Sequence, residues 1–303
     1  MGNVERAREE WNRAREDLGI PATSNALFDT WHLPFAEALS RWHARRGAPI
    51  VVGVQGCQGA GKSTLCALTP ALAENLFDLR VAVLALDDIY LPRRDREQLA
   101  RTTHPLWETR GVPGTHDPVL GAILLERLRA AGKGDRVRIP VFDKGLDDRL
   151  EPEQWHEVHG PFDVIIFEGW CVGLQEGDIA DWETPINALE AEEDHEGRWR
   201  GRLRRQLAGP YATLFGLIDH LAVMQVPAWE TVAIWRGEQE AKLRAARGAA
   251  APRSMDDAAL TRFLSHYERS TRAMIAHLPA RADLVATIAE DRSIHSVLDK
   301  EQT

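Results

Sequence analysis

The run VVGVQGCQGAGKSTL at residues 51 to 65 constrains this chain more than any other feature. Gly56, Gly61, Lys62 and Ser63 satisfy the pattern G-x-x-x-x-G-K-[ST] between an apolar strand-like stretch and a helix-like one. Glycines there allow a tight turn whose backbone N–H groups point inward, while the following helix brings its positive dipole end to the same place. A lysine at the sixth pattern position after the first glycine reaches the β and γ oxygens of a nucleotide, and the next hydroxyl is offered to Mg²⁺. The predicted ATP-binding set is therefore Gly56, Gly59, Ala60, Gly61, Lys62, Ser63 and Thr64. This spacing identifies a nucleotide site and leaves the reaction open.

Apolar runs rich in Val, Ile and Leu recur at 50–54, 81–86, 163–167, 221–226 and 283–288, and read as buried parallel strands. Helix-like stretches follow at 62–77, 118–131, 228–247 and 256–277, the last with Asp256 in a capping position. The alternation predicts an α/β fold, a doubly wound and mainly parallel five-stranded sheet, occupying residues 46–303 after a helical extension at 1–45. Residues 88–118 and 170–219 interrupt the alternation; they are rich in Gly, Pro, Trp and charge, the kind of long irregular segment that carries function. A flexible joint is expected at 248–255.

Charge limits the partners. Lys and Arg total 37 against 46 Asp and Glu, a formal charge of −9, which argues against a general nucleic-acid or membrane-surface binder. Any anionic ligand has to be held by local cations. Cys57, Cys66 and Cys171 are odd in number and lack metal-ligand spacing, so they read as reduced thiols of a cytoplasmic protein without structural zinc. The first residues are charged and helical in character, with no apolar h-region, so neither secretion nor membrane insertion is expected.

Two strand ends carry acids. The second run ends at Asp87 and Asp88, and the third at Glu168, all where ligands of open α/β sheets bind. In phosphoryl transfer one acid orients or deprotonates the attacking hydroxyl while another serves the metal. Asp87 comes first off its strand and is the better base; Asp88 can instead tie the turn together. Acids at strand ends are often only caps or turn residues, a reading that the phosphate loop makes less attractive.

The words LDDIYLPRRDREQLA, HPLWETRGVPGTHD, RIPVFDKGLDDRL, FEGWCVG, NALE, GRWR and WRGEQEAKLR, with the phosphate loop, span residues 53 to about 245. This series resembles the phosphoribulokinase and uridine kinase superfamily of P-loop kinases, and within it the D-glycerate 3-kinase group. The resemblance implies an ATP- and Mg²⁺-dependent phosphotransferase that converts D-glycerate to 3-phospho-D-glycerate. It further implies that Asp87 is the catalytic base, that Ser63 and Glu168 serve the metal, and that Asp117 contacts the acceptor. The first 45 residues and the tail after 290 lie outside it.

D-glycerate is a small anion with two hydroxyls, so its site needs a cation and polar partners. Asp88, Tyr90, Arg110, His116, Asp117, Asp143, Lys144 and Arg149 lie in suitable loops, Arg110 and Asp117 being better candidates than Lys144 or Arg149 because they share one Gly/Pro-bounded word; for each charged one, the plain alternative is a solvated loop charge. The helix after the fourth run corresponds to a lid in related kinases, over about 228–255. Its Arg236 is the candidate for closing over the γ-phosphate beside Lys62, the alternative being an i,i+4 pair with Glu240. The tryptophans read as core and loop packing. Other readings are a kinase of pantothenate, a nucleoside or a sugar phosphate, and a nucleotide-binding switch or adaptor. A guanine-reading N-K-x-D word is absent, and the third strand ends in Glu168-Gly169 rather than the Asp-Glu pair of a mechanical ATPase.

Overall fold

The computed structural model describes residues 3–20, 25–247 and 255–302. The strands are β1 (Ile50–Gly56), β2 (Val81–Ala85), β3 (Arg136–Ile139), β4 (Phe142–Asp143), β5 (Asp148–Arg149), β6 (His156–His159), β7 (Val164–Gly169), β8 (His220–Gln225), β9 (Leu284–Ile288) and β10 (Ile294–Asp299). The helices are α1 (Asn3–Asp17), α2 (Leu33–Arg46), α3 (Lys62–Phe77), α4 (Arg93–Thr102), α5 (Pro118–Ala130), α6 (Ala188–Glu193), α7 (Arg198–Gln206), α8 (Ala212–Phe215), α9 (Trp229–Arg247) and α10 (Asp257–Arg281). None of the described helices is long and apolar enough to cross a membrane.

The main sheet runs β10-β9-β8-β1-β7-β2, parallel throughout except for antiparallel β10. All five apolar runs are its parallel strands. Every residue of β1 is buried, as a central strand covered on both faces requires. The sixth strand, β10, was not expected. Its sequence IHSVLD alternates half-buried and exposed positions at the sheet edge, so it lacks the continuous apolar signal of a buried strand.

Register sets the site. Glu168 pairs with Val54 on one side and with Ala85 on the other, so the end of β1, the end of β7 and the turn after β2 share one carboxyl edge. The chain leaves β1 toward β2 on one side and later fills β8 and β9 on the other, which opens a crevice at the end of β1.

The irregular segments contain short helices, α4 in 88–118 and α6, α7 and α8 in 170–219, too short to show a period of their own. Between α5 and β7 an arm projects: β3 pairs with β6, and nested within it β4 pairs with β5. Trp11 and Phe28 of the N-terminal region form a small second core with Leu68 and Leu72 of α3. Asp256 caps α10 by accepting from the Ala259 amide. The joint expected at 248–255 lies outside the described residues up to 254.

Candidate active site

The phosphate loop has the backbone its glycines predict. Gly59 and Gly61 take φ of 83° and 93°, left-handed values that an L side chain rarely adopts, and α3 begins at Lys62. A Cβ on Gly56 would lie 2.8 Å from Lys62 Cγ, so the lysine stem lies directly over the end of β1. Trp235 of α9 closes the other side, 3.3 Å from where a Cβ on Gly59 would stand, and its indole N–H donates to the Glu290 carbonyl at 2.9 Å. Beside the loop lies a cavity of about 470 Å³, lined among others by Leu27, Trp31, Ala60, Thr64 and Ser293.

Three carboxyl groups and two lysines meet at the strand ends. Asp87 Oδ2 lies 2.7 Å from Lys144 Nζ, which comes from the turn between β4 and β5. Burial pushes the Asp87 carboxyl up, but the Lys144 ammonium and, more weakly, Lys62 outweigh it and hold the group below the ordinary aspartate range. Burial, with Asp87 and Glu168 as like-charged neighbours, pushes Asp88 up to about 6, against the restraining backbone N–H of Phe142. Glu168 is also raised, by burial and by Asp87, against the pull of Lys62. The environment thus separates three similar acids into one that stays charged and two that hold protons more readily, the arrangement that assigns acid and base roles.

Residues expected to bind the acceptor lie near this cluster. Tyr90 stacks on His116, with ring centroids 4.3 Å apart, and meets Phe142 edge-on at 5.0 Å. His116 is buried, which drives its imidazole down to about 3 against the opposing charge of Asp87, so it is neutral at working pH. Asp117 caps α5 by accepting from the Leu120 amide at 3.0 Å, and its other oxygen lies 3.7 Å from Arg149 Nη1. Gly111, in the same Gly/Pro-bounded loop, accepts from the Trp170 indole, and the carbonyl of Arg110 accepts from Tyr267.

Sequence reasoning and structure differ in emphasis at three residues. Arg110 is paired with Asp147 and lies over the Phe142 ring, which fastens the arm. Asp143 accepts from the Gly145 and Leu146 amides and so closes the turn that presents Lys144. Arg236 lies 3.0 Å from Glu240 and over Phe263, the i,i+4 pair weighed above. The words NALE and GRWR build a buried ion cluster: Glu190 takes both Arg269 Nε and Nη2, and Arg200 lies 3.3 Å from Asp194. Tyr211 and the pocket residues at 26–32 and 291–294 were not foreseen, because no local pattern distinguishes them from packing. Cys57, Cys66 and Cys171 are buried and unpaired.

No protein-family model matches the chain. An uncharacterized kinase of Schizosaccharomyces pombe is 32% identical over 235 residues, covering 73% of this chain and 79% of that one. The chloroplastic D-glycerate 3-kinase of Arabidopsis thaliana is 28% identical over 239 residues, covering 77% of this chain and 49% of that one. A solved D-glycerate 3-kinase from Cryptococcus neoformans superposes with a TM-score of 0.72 at 28% identity, covering 88% of this chain and 98% of that one. With the phosphate loop, the strand-end acids and the doubly wound sheet already in place, these likenesses make the chain a phosphotransferase with an alcohol group as acceptor, and it belongs to the D-glycerate 3-kinase group of P-loop kinases.

Proposed function

We propose that this chain transfers the γ-phosphate of ATP to the 3-hydroxyl of D-glycerate, giving 3-phospho-D-glycerate and ADP. The observation that carries the chemistry is the position and charge of Asp87: an ionised carboxylate at the strand edge shared with the phosphate loop, among acids that hold their protons more readily. Asp87 accepts the proton of the attacking hydroxyl as the oxygen closes on phosphorus. Lys62 and the backbone N–H groups of the phosphate loop hold the phosphates and offset charge on the transferring group. The cavity walled by Leu27, Trp31 and Ser293 takes the adenosine end, which gives the N-terminal 45 residues a part in nucleotide binding.

Mg²⁺ fits the donor set. Among the described residues no cluster of three or more His, Cys, Asp and Glu could hold a metal by itself, so Mg²⁺ here would draw its remaining ligands from the nucleotide and water. Ser63 and Glu168 would hold it, Glu168 being a largely buried carboxyl at the same strand edge as Asp87. Its chemistry there is to neutralise the β and γ oxygens.

On the acceptor side, Tyr90, His116 and Asp117 give polar partners, while Lys144 and Arg149 give the cations a small acid needs. Arg110, Asp88 and Asp143 shape the arm that carries them. Arg236 would have to leave Glu240 to reach a phosphate. The buried, unpaired cysteines fit the reducing cytoplasm.

The test is ADP release with Mg·ATP across D-glycerate, L-glycerate, pantothenate, uridine and ribulose 5-phosphate, with the product identified by mass. D-glycerate-dependent release with 3-phosphoglycerate formed is expected. Turnover of another acceptor alone would overturn the substrate while keeping the chemistry.

A further inference from the structure

The Tyr211 hydroxyl sits in an unusually well-defined hydrogen-bonding position. Its oxygen accepts from the Gly114 amide at 2.9 Å and lies 2.7 Å from His116 Nδ1. A phenol oxygen has two lone pairs and one proton. The Gly114 N–H occupies one lone pair, and among the described residues the other hydrogen-bond partner of this oxygen is His116 Nδ1, so the phenol proton is directed there. A neutral imidazole that accepts at Nδ1 carries its own hydrogen on Nε2. The opposite tautomer would fill both lone pairs and leave the Tyr211 proton without an acceptor among the described residues. His116 Nε2 is buried and has no hydrogen-bond partner among the described residues, although buried donors are nearly always satisfied.

The ring that carries this donor stacks on Tyr90 and feels the charge of Asp87, which places it on the acceptor side of the site. A single neutral donor suits a neutral hydroxyl oxygen, whereas the substrate carboxylate has Lys144 and Arg149 to choose from. We propose that Tyr211 is a positioning residue that fixes His116 as an Nε2–H donor, and that this hydrogen is given to the 2-hydroxyl oxygen of the acceptor while Asp87 holds the 3-hydroxyl. For its ligand the inference rests on the D-glycerate reading; for the tautomer it does not. Specificity follows, because a site built around a substrate hydroxyl is left with an unpaired buried donor when that hydroxyl is missing.

Two measurements test it. In the ¹⁵N-histidine-labelled full chain, the His116 signals are those lost in His116→Gln. The wild type is expected to carry the proton on Nε2, and Tyr211→Phe to show the Nδ1-protonated form as well. A wild-type proton on Nδ1 overturns the inference whatever the substrate. Second, kcat/KM is compared for D-glycerate and 3-hydroxypropanoate, which lacks the 2-hydroxyl. Tyr211→Phe is expected to lose roughly ten- to a hundredfold on D-glycerate, little on 3-hydroxypropanoate, and to keep its KM for ATP. Equal losses on both acids would mean that Tyr211 only packs, and would overturn the positioning role. A wild type that turns over neither acid refutes the D-glycerate reading and with it the named hydroxyl, while the tautomer is still decided by the first measurement.

Discussion

Asp87→Asn isolates the chemistry from the fold. The replacement keeps the size of the side chain and removes only the charge and the ability to take a proton. Loss of a positioned general base lowers the rate by about 10² to 10⁴, or about 3 to 5 kcal/mol of transition-state stabilisation. The same change should barely alter stability. Asp87 pairs with Lys144, whose side chain is 65% exposed, so the freed ammonium returns to water and the lost pair is worth at most about 1 kcal/mol. ATP binding should persist, because the phosphate loop is built by β1 and α3 and not by the turn after β2. The assay is kcat for the acceptor at saturating Mg·ATP, with ATP affinity and thermal melting measured on the same preparation. A second readout follows from the charges: Asp88 and Glu168 lose a like-charged neighbour, so both carboxyls should titrate at lower pH by ¹³C NMR. Turnover within tenfold of wild type would remove Asp87 as the base.

Two further predictions concern stability. Glu190 is fully buried against Arg269 and accepts from the Ile186 amide, so Glu190→Ala strands a buried cation and should cost about 3 to 5 kcal/mol. At roughly 2 °C per kcal/mol for a chain of this size, the melting temperature should fall by about 6 to 10 °C with activity in the cold retained; a fall below about 2 °C would contradict the cluster's role. Asp88 is raised in the folded state, so its contribution is fully present below the unfolded value near pH 4 and is lost as pH rises through about 6. Asp88→Asn removes that loss, so its melting temperature relative to wild type should climb between about pH 4 and 6 and then level off; a flat difference across that range would show that Asp88 is not raised.

Sequence legibility followed the range of the interactions involved. The phosphate loop and its flanking strand and helix are local, and Gly59, Gly61 and Lys62 stand where the pattern put them. The five parallel strands are continuous apolar runs, fully buried in central β1 and at least half-buried elsewhere, as in β2 at the sheet edge. Strand β10 is half-exposed at an edge, and the strands of the arm are two to four residues long, so neither leaves a readable period. The strand-end acids were legible as positions but not as charge states. That Asp87 stays ionised while Asp88 rises depends on Lys144 reaching back from a turn more than fifty residues later in the chain.

The acceptor half of the site was the least legible part, and the ion cluster explains why. Residues 170–219 contribute no strand to the sheet, so ladder hydrogen bonds cannot hold Tyr211 beside His116. Their anchors are buried side-chain bonds instead: Arg269 of α10 clasps Glu190 from far along the chain, while within the segment Arg200 donates to the carbonyls of Trp182 and Glu183 and Asp194 accepts from the Trp199 and Arg200 amides. An apolar anchor tolerates sliding, whereas a buried guanidinium fits only where each of its donors meets an acceptor, since an unpaired one is costly. The charged words NALE and GRWR therefore carry positional information for a site they never touch. Read along the chain they look like solvated helix surface, and only the fold turns them into the frame that sets one tyrosine against one histidine.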